Sequence, residues 1–278
     1  MAADTLTPVV DILPEPARDS TASRLWAWVW PKLLAIGLVL VAWQLVVWSG
    51  WRPEYVLPGP IPTLQAVWEM MGTDRFWSAI ATTMTRAVLG FSLALLIGTT
   101  IGILVARVNP LRLAVGALIT GLQTMPSISW FPLAILLFGI NERAILFVVI
   151  LGAAPSIANG VISGIDHVPP AFWRLGQVLG AGPFAMYRNI ILPAALPGYV
   201  GGLTQGWSFA WRSLMAGELL VIIAERPSLG AQLEFARQLA KAPQLLGTML
   251  VILIIGMLVD GLFSSAARRL RQRRGLAT

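Results

Sequence analysis

Few side chains in this 278-residue chain could do chemistry, and their types narrow what that chemistry can be. There is no cysteine and a single histidine, His167. Thiolate nucleophiles, disulfides, a histidine metal cluster and a conventional serine triad are therefore excluded by inventory. His167 reads as a solvated loop residue. No lysine follows glycine in the Gly-x-x-x-x-Gly-Lys-Ser/Thr pattern whose backbone cradles phosphate, so no site for nucleotide hydrolysis can be assembled. What remains are Arg86, Arg212, Glu218 and Asp260, ionisable residues in or beside long apolar runs. A charge placed in lipid costs at least about 2.5–3.5 kcal/mol, so each should be paired or face water. Arg212 and Glu218 are separated by about 120° around a helix and do not share a face, which makes Arg86 the better partner for Glu218. Arg212 is then expected to attract an anionic solute at the mouth of a pathway, with Glu218 orienting a neighbouring arginine. A purely structural ion pair is the competing reading of Arg86 and Glu218.

A second polar signal is Met125-Pro126-Ser127-Ile128-Ser129-Trp130-Phe131-Pro132, two prolines and two serines inside an apolar run. Each proline removes a backbone hydrogen bond, so the helix should kink or break where hydroxyls or a cavity satisfy the freed carbonyls. Such breaks line translocation paths or serve as packing kinks. Met125, Pro126, Ser127 and Ser129, with Arg212 and Glu218, form the candidate path. Gly98 and Gly102, spaced as Gly-x-x-x-Gly, mark close helix packing.

The longest polar interruption is IDHVPPAFWRLGQVLGAGPFAMYRNIILPAALP, residues 165–197. Pro169 and Pro170 stop one span and can open a helix, because the first turn does not need their missing N–H. Phe172, Leu175 and Leu179 then share one face, with Arg174 and Gln177 off it. Gly180, Gly182 and Pro183 end the helix and turn the chain. A second amphipathic piece, 184–191, leads into Leu192-Pro193 and the next span.

Gly180, nine intervening residues and then Ile190, Ile191, Leu192 and Pro193 resemble the second half of the cytoplasmic loop motif of the membrane permease subunits of bacterial ATP-binding-cassette importers. The first half departs, with Arg174, Leu175 and Gly176 standing where that family carries Glu-Ala-Ala. Leu57-Pro58-Gly59-Pro60, the segment from Met125-Pro126 to Phe138-Gly139, and residues 211–220 are similar to the branch that imports nitrate, sulfonates, taurine and related small solutes. The resemblance spans roughly residues 33–270. It implies an ATPase-docking loop in which Phe172, Leu175 and Leu179 anchor, Arg174 sets a charge at the rim and Gly180 permits the close turn, with Gly176, Ile190, Leu192 and Pro193 as further members of the loop. It also implies separate ATPase subunits that hold the ATP and magnesium, a second permease copy, and an external solute-binding protein. No cofactor or metal is expected in this chain itself.

The elements that must position these residues are helices in a membrane. Apolar residues make up 56% of the chain and charged residues 12%, against about a quarter charged in a soluble domain. Crossing a bilayer core takes about 20 helical residues. Six runs qualify, at 33–51, 87–106, 113–137, 144–165, 194–220 and 245–267. The fold class is therefore an all-α integral membrane protein of about six helices with a cytoplasmic coupling helix, and the resemblance implies the type I importer permease arrangement. Residues 1–32 form an expected disordered cytoplasmic tail, 33–267 the membrane domain with its loop at 166–193, and 268–278 a basic cytoplasmic tail. Asp4, Asp11, Glu15 and Asp19 near the start and the lack of a small-residue cleavage site after the first run argue that this span is retained.

With both termini inside, twelve of the twenty Lys and Arg residues fall in cytoplasmic segments and six in external ones, the arrangement that lysine and arginine favour. The resemblance places the chain in a bacterial inner membrane. The basic end, Arg268 to Arg274, is a topology signal that attracts anionic lipid, and no nucleic-acid partner is expected. Residues 52–85 and 225–243 are the external segments, carrying an interfacial helix at 64–71 and a short helix at 231–240. They are the candidate surfaces for the binding protein. An ion-coupled secondary transporter is the main alternative, since it would use membrane carboxylates and need no ATPase.

Overall fold

The computed structural model describes residues 21–107 and 109–273. Every regular element among them is helical, as a bilayer requires of a chain that must satisfy its own backbone polar groups. The helices are α1 (Thr21–Trp48), α2 (Pro60–Met71), α3 (Asp74–Arg107), α4 (Asn109–Thr124), α5 (Phe131–Phe138), α6 (Glu142–Asp166), α7 (Pro170–Val178), α8 (Pro183–Met186), α9 (Leu192–Leu220), α10 (Leu229–Gln238) and α11 (Ala242–Arg273). A 3-10 turn at Ser127–Trp130 precedes α5, and a widened π-type turn at Tyr187–Ile191 precedes α9.

The chain divides into two compact units, Met1–Arg52 and Pro53–Thr278. In the first, α1 is an apolar helix whose 20-residue stretch Val29–Trp48 is long enough to cross a membrane. Residues 21–32, expected as tail, extend this helix at its start, because no glycine interrupts them and Pro31 is accommodated within it. Residues 1–20 of the expected tail lie outside the described residues.

In the second unit α6 is the central post, packed along α9 on one side and α3 on another. Lipid tails are as apolar as leucine, so close van der Waals packing of small residues is what holds such helices together. A Cβ on Gly160 of α6 would lie 2.5 Å from Cα of Gly202 in α9, and one on Gly198 would lie 2.6 Å from Cα of Gly164. On the α3 side, a Cβ on Gly98 would meet the Ala154 carbonyl at 2.5 Å and one on Gly102 the Val161 Cβ at 2.7 Å, which is the close packing their spacing suggests. Phe131, Ile145, Val148, Val149, Ile157, Trp207 and Leu214 fill the core around this crossing. The last helix, α11, packs on α2, α9 and α10.

Four described helices are long and apolar enough to span a membrane, and a fifth span results if the bent pair of α4 and α5 is counted as one. That pair corresponds to the expected run 113–137, and it bends by 101° at the Met125-Pro126 break. The expected span at 194–220 is a continuous helix of 29 residues but is too polar to count by composition. The reason is its position. Ala195, Gly202, Gly206, Ser213, Gly217 and Glu218 of α9 are buried against protein rather than turned to lipid. The expected span at 87–106 begins earlier, at Asp74, since Thr82, Thr83, Thr85 and Arg86 continue the helix. α11 likewise runs through Arg273, so most of the expected basic tail is helical, and 274–278 lie outside the described residues.

Two ends of the bundle can be told apart by their ion pairs. At one, the starts of α3 and α6 meet the end of α9 around Arg86, Glu142 and Glu218. At the other, Arg112 of α4 pairs with Asp166 at the end of α6. The 25 residues of α6 separate these ends by about 37 Å.

Candidate functional site

The segment after α6 builds a short helix with one face pinned and the other bare. Pro170 occupies the first turn of α7, where no N–H is needed. The helix closes in a Schellman arrangement, with Ala181 N donating to Gly176 O at 2.9 Å and Gly180 N to Gln177 O at 3.0 Å. Gly180 takes φ 68° there, the left-handed conformation that a side chain would strain. The pinned face rests on the π-type turn. Trp173 meets Tyr187 edge-on at 5.6 Å, and Gly176 is buried so closely under Met186 that a Cβ there would run into its sulfur. Ile191 behind them is fully buried, while Ile190 and Leu192 are half-buried. The widened turn has a local cause. Pro193 has no N–H to give and its ring crowds the carbonyl four residues back, so Leu192 N bonds Tyr187 O, five residues back, instead.

The bare face is the one that the i, i+3, i+7 spacing picks out. Phe172 is 42% exposed, Leu175 51% and Leu179 69%, with Val178 and Phe184 exposed beside them. Arg174 is exposed at the edge of this patch, and Pro193 is exposed beyond the turn. Arg188 lies with its guanidinium 6.0 Å over the Phe184 ring. His167 is exposed, its Nδ1 2.7 Å from Ser163 O.

At the opposite end the charges are consumed internally. Arg86 donates from Nε to Glu142 Oε2 at 2.8 Å, from Nη2 to Glu142 Oε1 at 2.6 Å and from Nη1 to Glu218 Oε1 at 2.9 Å. Glu218 is fully buried and also accepts from Thr83 Oγ1 at 2.9 Å and from Gly230 N at 3.1 Å. Thr83 Oγ1 in turn accepts from Leu229 N at 3.0 Å, so the network ties α3, α6 and α9 to the start of α10. Arg226 approaches Glu142 at 3.6 Å from the connecting segment. The structural ion pair is thus the reading of Arg86 and Glu218 that the geometry supports. Glu142, Thr83, Arg226 and Gly230 escaped the sequence reading. Asn141 followed by Glu142 carried a trace of the signal, as a helix N-cap and first-turn acid. On α10, hydrogen bonds from Arg237 and Gln238 hold the Glu234 carboxyl at about 2, so this surface pair stays ionised near neutral pH.

The remaining path candidates fall in two places. Met125, Pro126 and Ser129 are exposed at the α4–α5 bend, Ser127 is half-buried there, and Ser129 N bonds Pro126 O at 3.0 Å. Arg212 is exposed on α9 and lines a cavity of about 580 Å³ with Trp207, Ser208, Trp211, Met257 and Asp260. The structure therefore separates Arg212 from Glu218 and sets it on the same cavity as Asp260. Among the described residues no group of three or more His, Cys, Asp or Glu side chains gathers to hold a metal.

Comparison with known proteins agrees with this architecture. Residues 98–274 match the family model described as the binding-protein-dependent transport system inner membrane component. The taurine transport system permease protein of Escherichia coli is 28% identical over 265 residues, covering 91% of this chain and 95% of that one. The nitrate import permease protein of Synechocystis is 28% identical over 204 residues, 69% of this chain and 73% of that one. Among solved structures, an inward-facing conformation of the MetNI methionine ABC transporter superposes with a TM-score of 0.61 at 20% identity, covering 70% of this chain and 96% of that one. The type I importer permease fold is the one this chain adopts.

Proposed function

Because the chain belongs to the family of binding-protein-dependent transport system inner membrane components, we propose that it is the permease subunit of an ATP-driven importer that moves a small polar or anionic solute of the nitrate, sulfonate or taurine kind. The observation that carries this reading is the bare face of α7, three apolar side chains on a helix braced from behind by Trp173, Gly176 and the π-type turn. An apolar face on a rigid short helix suits a groove in a partner, with Phe172, Leu175 and Leu179 as anchors and Arg174 at the rim. ATP with magnesium belongs to two separate ATPase subunits, and hydrolysis takes place there.

On this reading the Asp166 end of the bundle is cytoplasmic, the Arg86 end is external, and both termini are inside. Two copies of the chain enclose the path, and α2 and α10 at the external end receive the solute-binding protein. Closure of the ATPases moves α7, and the brace behind it passes that motion to α6 and α9, which turn the path outward; nucleotide release resets it. The break at Met125 to Ser129 and the Arg212 cavity are the path elements within each copy. Of the two span carboxylates an ion-coupled transporter could use to load and release a cation, Glu218 is fully buried and bonded to Arg86, Thr83 and Gly230, so that alternative would rest on Asp260 alone.

The test is co-purification of the ATPase with the tagged chain from its own membranes. Wild type should bring it down stoichiometrically, and Leu175→Asp should lose it while still inserting in the membrane. Retention of the ATPase by Leu175→Asp would count against docking through α7.

A further inference from the structure

At the Arg86 end of the bundle, two cations share a cavity whose wall carries no carboxylate. Arg75 is the second residue of α3, and Lys241 stands directly before α11. Both line a cavity of about 200 Å³ between the end of α2, the start of α3 and the end of α10. Each is held in place. Gln232 Nε2 of α10 donates to Arg75 O at 3.2 Å, and the Arg75 guanidinium lies 5.9 Å over the Phe235 ring. Lys241 is set by the turn that closes α10, where its N–H donates to Ala236 O at 2.9 Å and Ala240 takes φ 52°. Among the described residues Arg86, Arg112, Arg226 and Arg237 each meet a carboxylate, whereas Arg75 and Lys241 meet none. Asp74 lines a neighbouring cavity, and Glu234 is taken by Arg237.

Depth in the membrane decides what can meet these two charges. The spans that begin beside them, Asp74–Ala106 and Ala242–Leu270, have 33 and 29 residues, about 50 and 43 Å of helix. A bilayer core takes up about 30 Å, so the first turns of both spans lie among the headgroups. Tryptophans mark the same level. Trp77 is 54% exposed with its Nε1 donating to Met71 O at 2.9 Å, and Trp68 of α2 is 78% exposed. Met70 and Leu239 give the cavity an apolar side, and Gln244 adds an amide.

From this placement we infer that the cavity seats the headgroup of an anionic phospholipid, its phosphodiester on Arg75 and Lys241 and the top of an acyl chain against Met70 and Leu239. A guanidinium offers a forked pair of donors to phosphate oxygens, and an ammonium offers three more. The cationic group of a zwitterionic headgroup would meet two like charges and no carboxylate in this wall, which favours phosphatidylglycerol over phosphatidylcholine. An acidic side chain of a protein partner matches the charges but leaves the exposed Leu239 uncovered. The inference goes beyond the importer reading, since it needs only the membrane; on the orientation proposed above, the lipid belongs to the outer leaflet.

Competition between two lipids tests this. The full-length chain in detergent is given equal amounts of phosphatidylglycerol and phosphatidylcholine with the same acyl chains, and native mass spectrometry counts the lipids that stay bound. Wild type should retain phosphatidylglycerol in preference by about tenfold or more. Arg75→Gln combined with Lys241→Gln should lose one phosphatidylglycerol per chain, and Arg75→Lys combined with Lys241→Arg should keep it. Both residues are exposed, so the melting temperature without phosphatidylglycerol should match wild type in either variant. Arg237→Gln is the control, because Glu234 already meets that exposed cation of α10, and it should retain lipid as wild type does. The basic end of α11 is the same in every variant and cancels in the comparison. Equal retention of the two lipids, an undiminished phosphatidylglycerol count in the double Gln variant, or the same loss from Arg237→Gln would overturn the inference. Displacement of the lipid by inorganic phosphate would make the cavity a site for a free anion, and co-purification of the solute-binding protein through these two residues without bound lipid would make it a protein contact; either result overturns the lipid assignment. No ATPase is present, so failure here leaves docking through α7 standing, and failure of docking leaves this result standing.

Discussion

Arg86 Nη1 lies 2.9 Å from Glu218 Oε1 across 132 residues of sequence, and the same guanidinium grips Glu142 with its other edge. One buried cation thus holds two carboxylates, and through them three helices, at a single end of the bundle. The arrangement works as a brace because every member is bonded, and removing Arg86 leaves the buried Glu218 charged with no cation beside it.

Arg86→Leu should therefore destabilise the protein by about 3–5 kcal/mol, the usual cost of stranding buried charge. Thr83→Val removes a neutral donor and should cost less, about 1–3 kcal/mol. Thermal unfolding in detergent gives both values, and a small effect of Arg86→Leu would mean that the carboxylates find water.

The crossing of α6 and α9 predicts a sharp contrast between neighbouring glycines. Gly202→Leu must displace the Gly160 backbone, which lies 2.5 Å from the new Cβ, and should cost at least about 1–3 kcal/mol. Gly201→Leu places its Cβ where nothing lies within 4 Å and should be close to neutral in the same melt.

At the docking loop, Gly180→Val forces a branched side chain into φ 68° and should loosen the end of α7 by about 1–2 kcal/mol. Gly176→Ala is different. Its Cβ meets only the tip of the Met186 side chain and Ile190 Cδ1, both able to move, and alanine favours a helix by about 1 kcal/mol, so the variant should be nearly neutral. Co-purified ATPase per permease reports both, falling for Gly180→Val and holding for Gly176→Ala.

How much of this could be read beforehand depended on distance along the chain. The α7 face was legible in Phe172, Leu175 and Leu179 because helical spacing, Pro170 and Gly180 are local signals. The break at Pro126 was legible for the same reason. Glu142 was not, since its claim on Arg86 spans 56 residues and nothing local marks it. The polar Thr82, Thr83 and Thr85 made the start of α3 look external, yet Glu218 is what allows Thr83 to be buried there. The polarity of α9 has a different origin. It met the length of a span, but glycines and serines that pack on protein do not register as lipid-facing. Arg212 was singled out without its partner on the cavity, because Asp260 lies on another helix and is reached only through Ser208.

Arg212→Gln should lower solute uptake by about tenfold or more while leaving the melting temperature within about a degree of wild type, because its contacts are a carbonyl and a ring at the surface of a cavity. Uptake into proteoliposomes beside a thermal melt separates this outcome from Arg86→Leu, where stability falls first.

The absence of cysteine allows the central claim to be tested at one atom. Leu179→Cys puts a single thiol on the exposed docking face, and Trp68→Cys puts one on the exposed surface of α2. Maleimide labelling of each is measured in proteoliposomes with and without the reconstituted ATPase. Docking through α7 predicts that the ATPase protects Cys at 179 strongly and leaves Cys at 68 reactive; equal labelling at 179 with and without bound ATPase would contradict it.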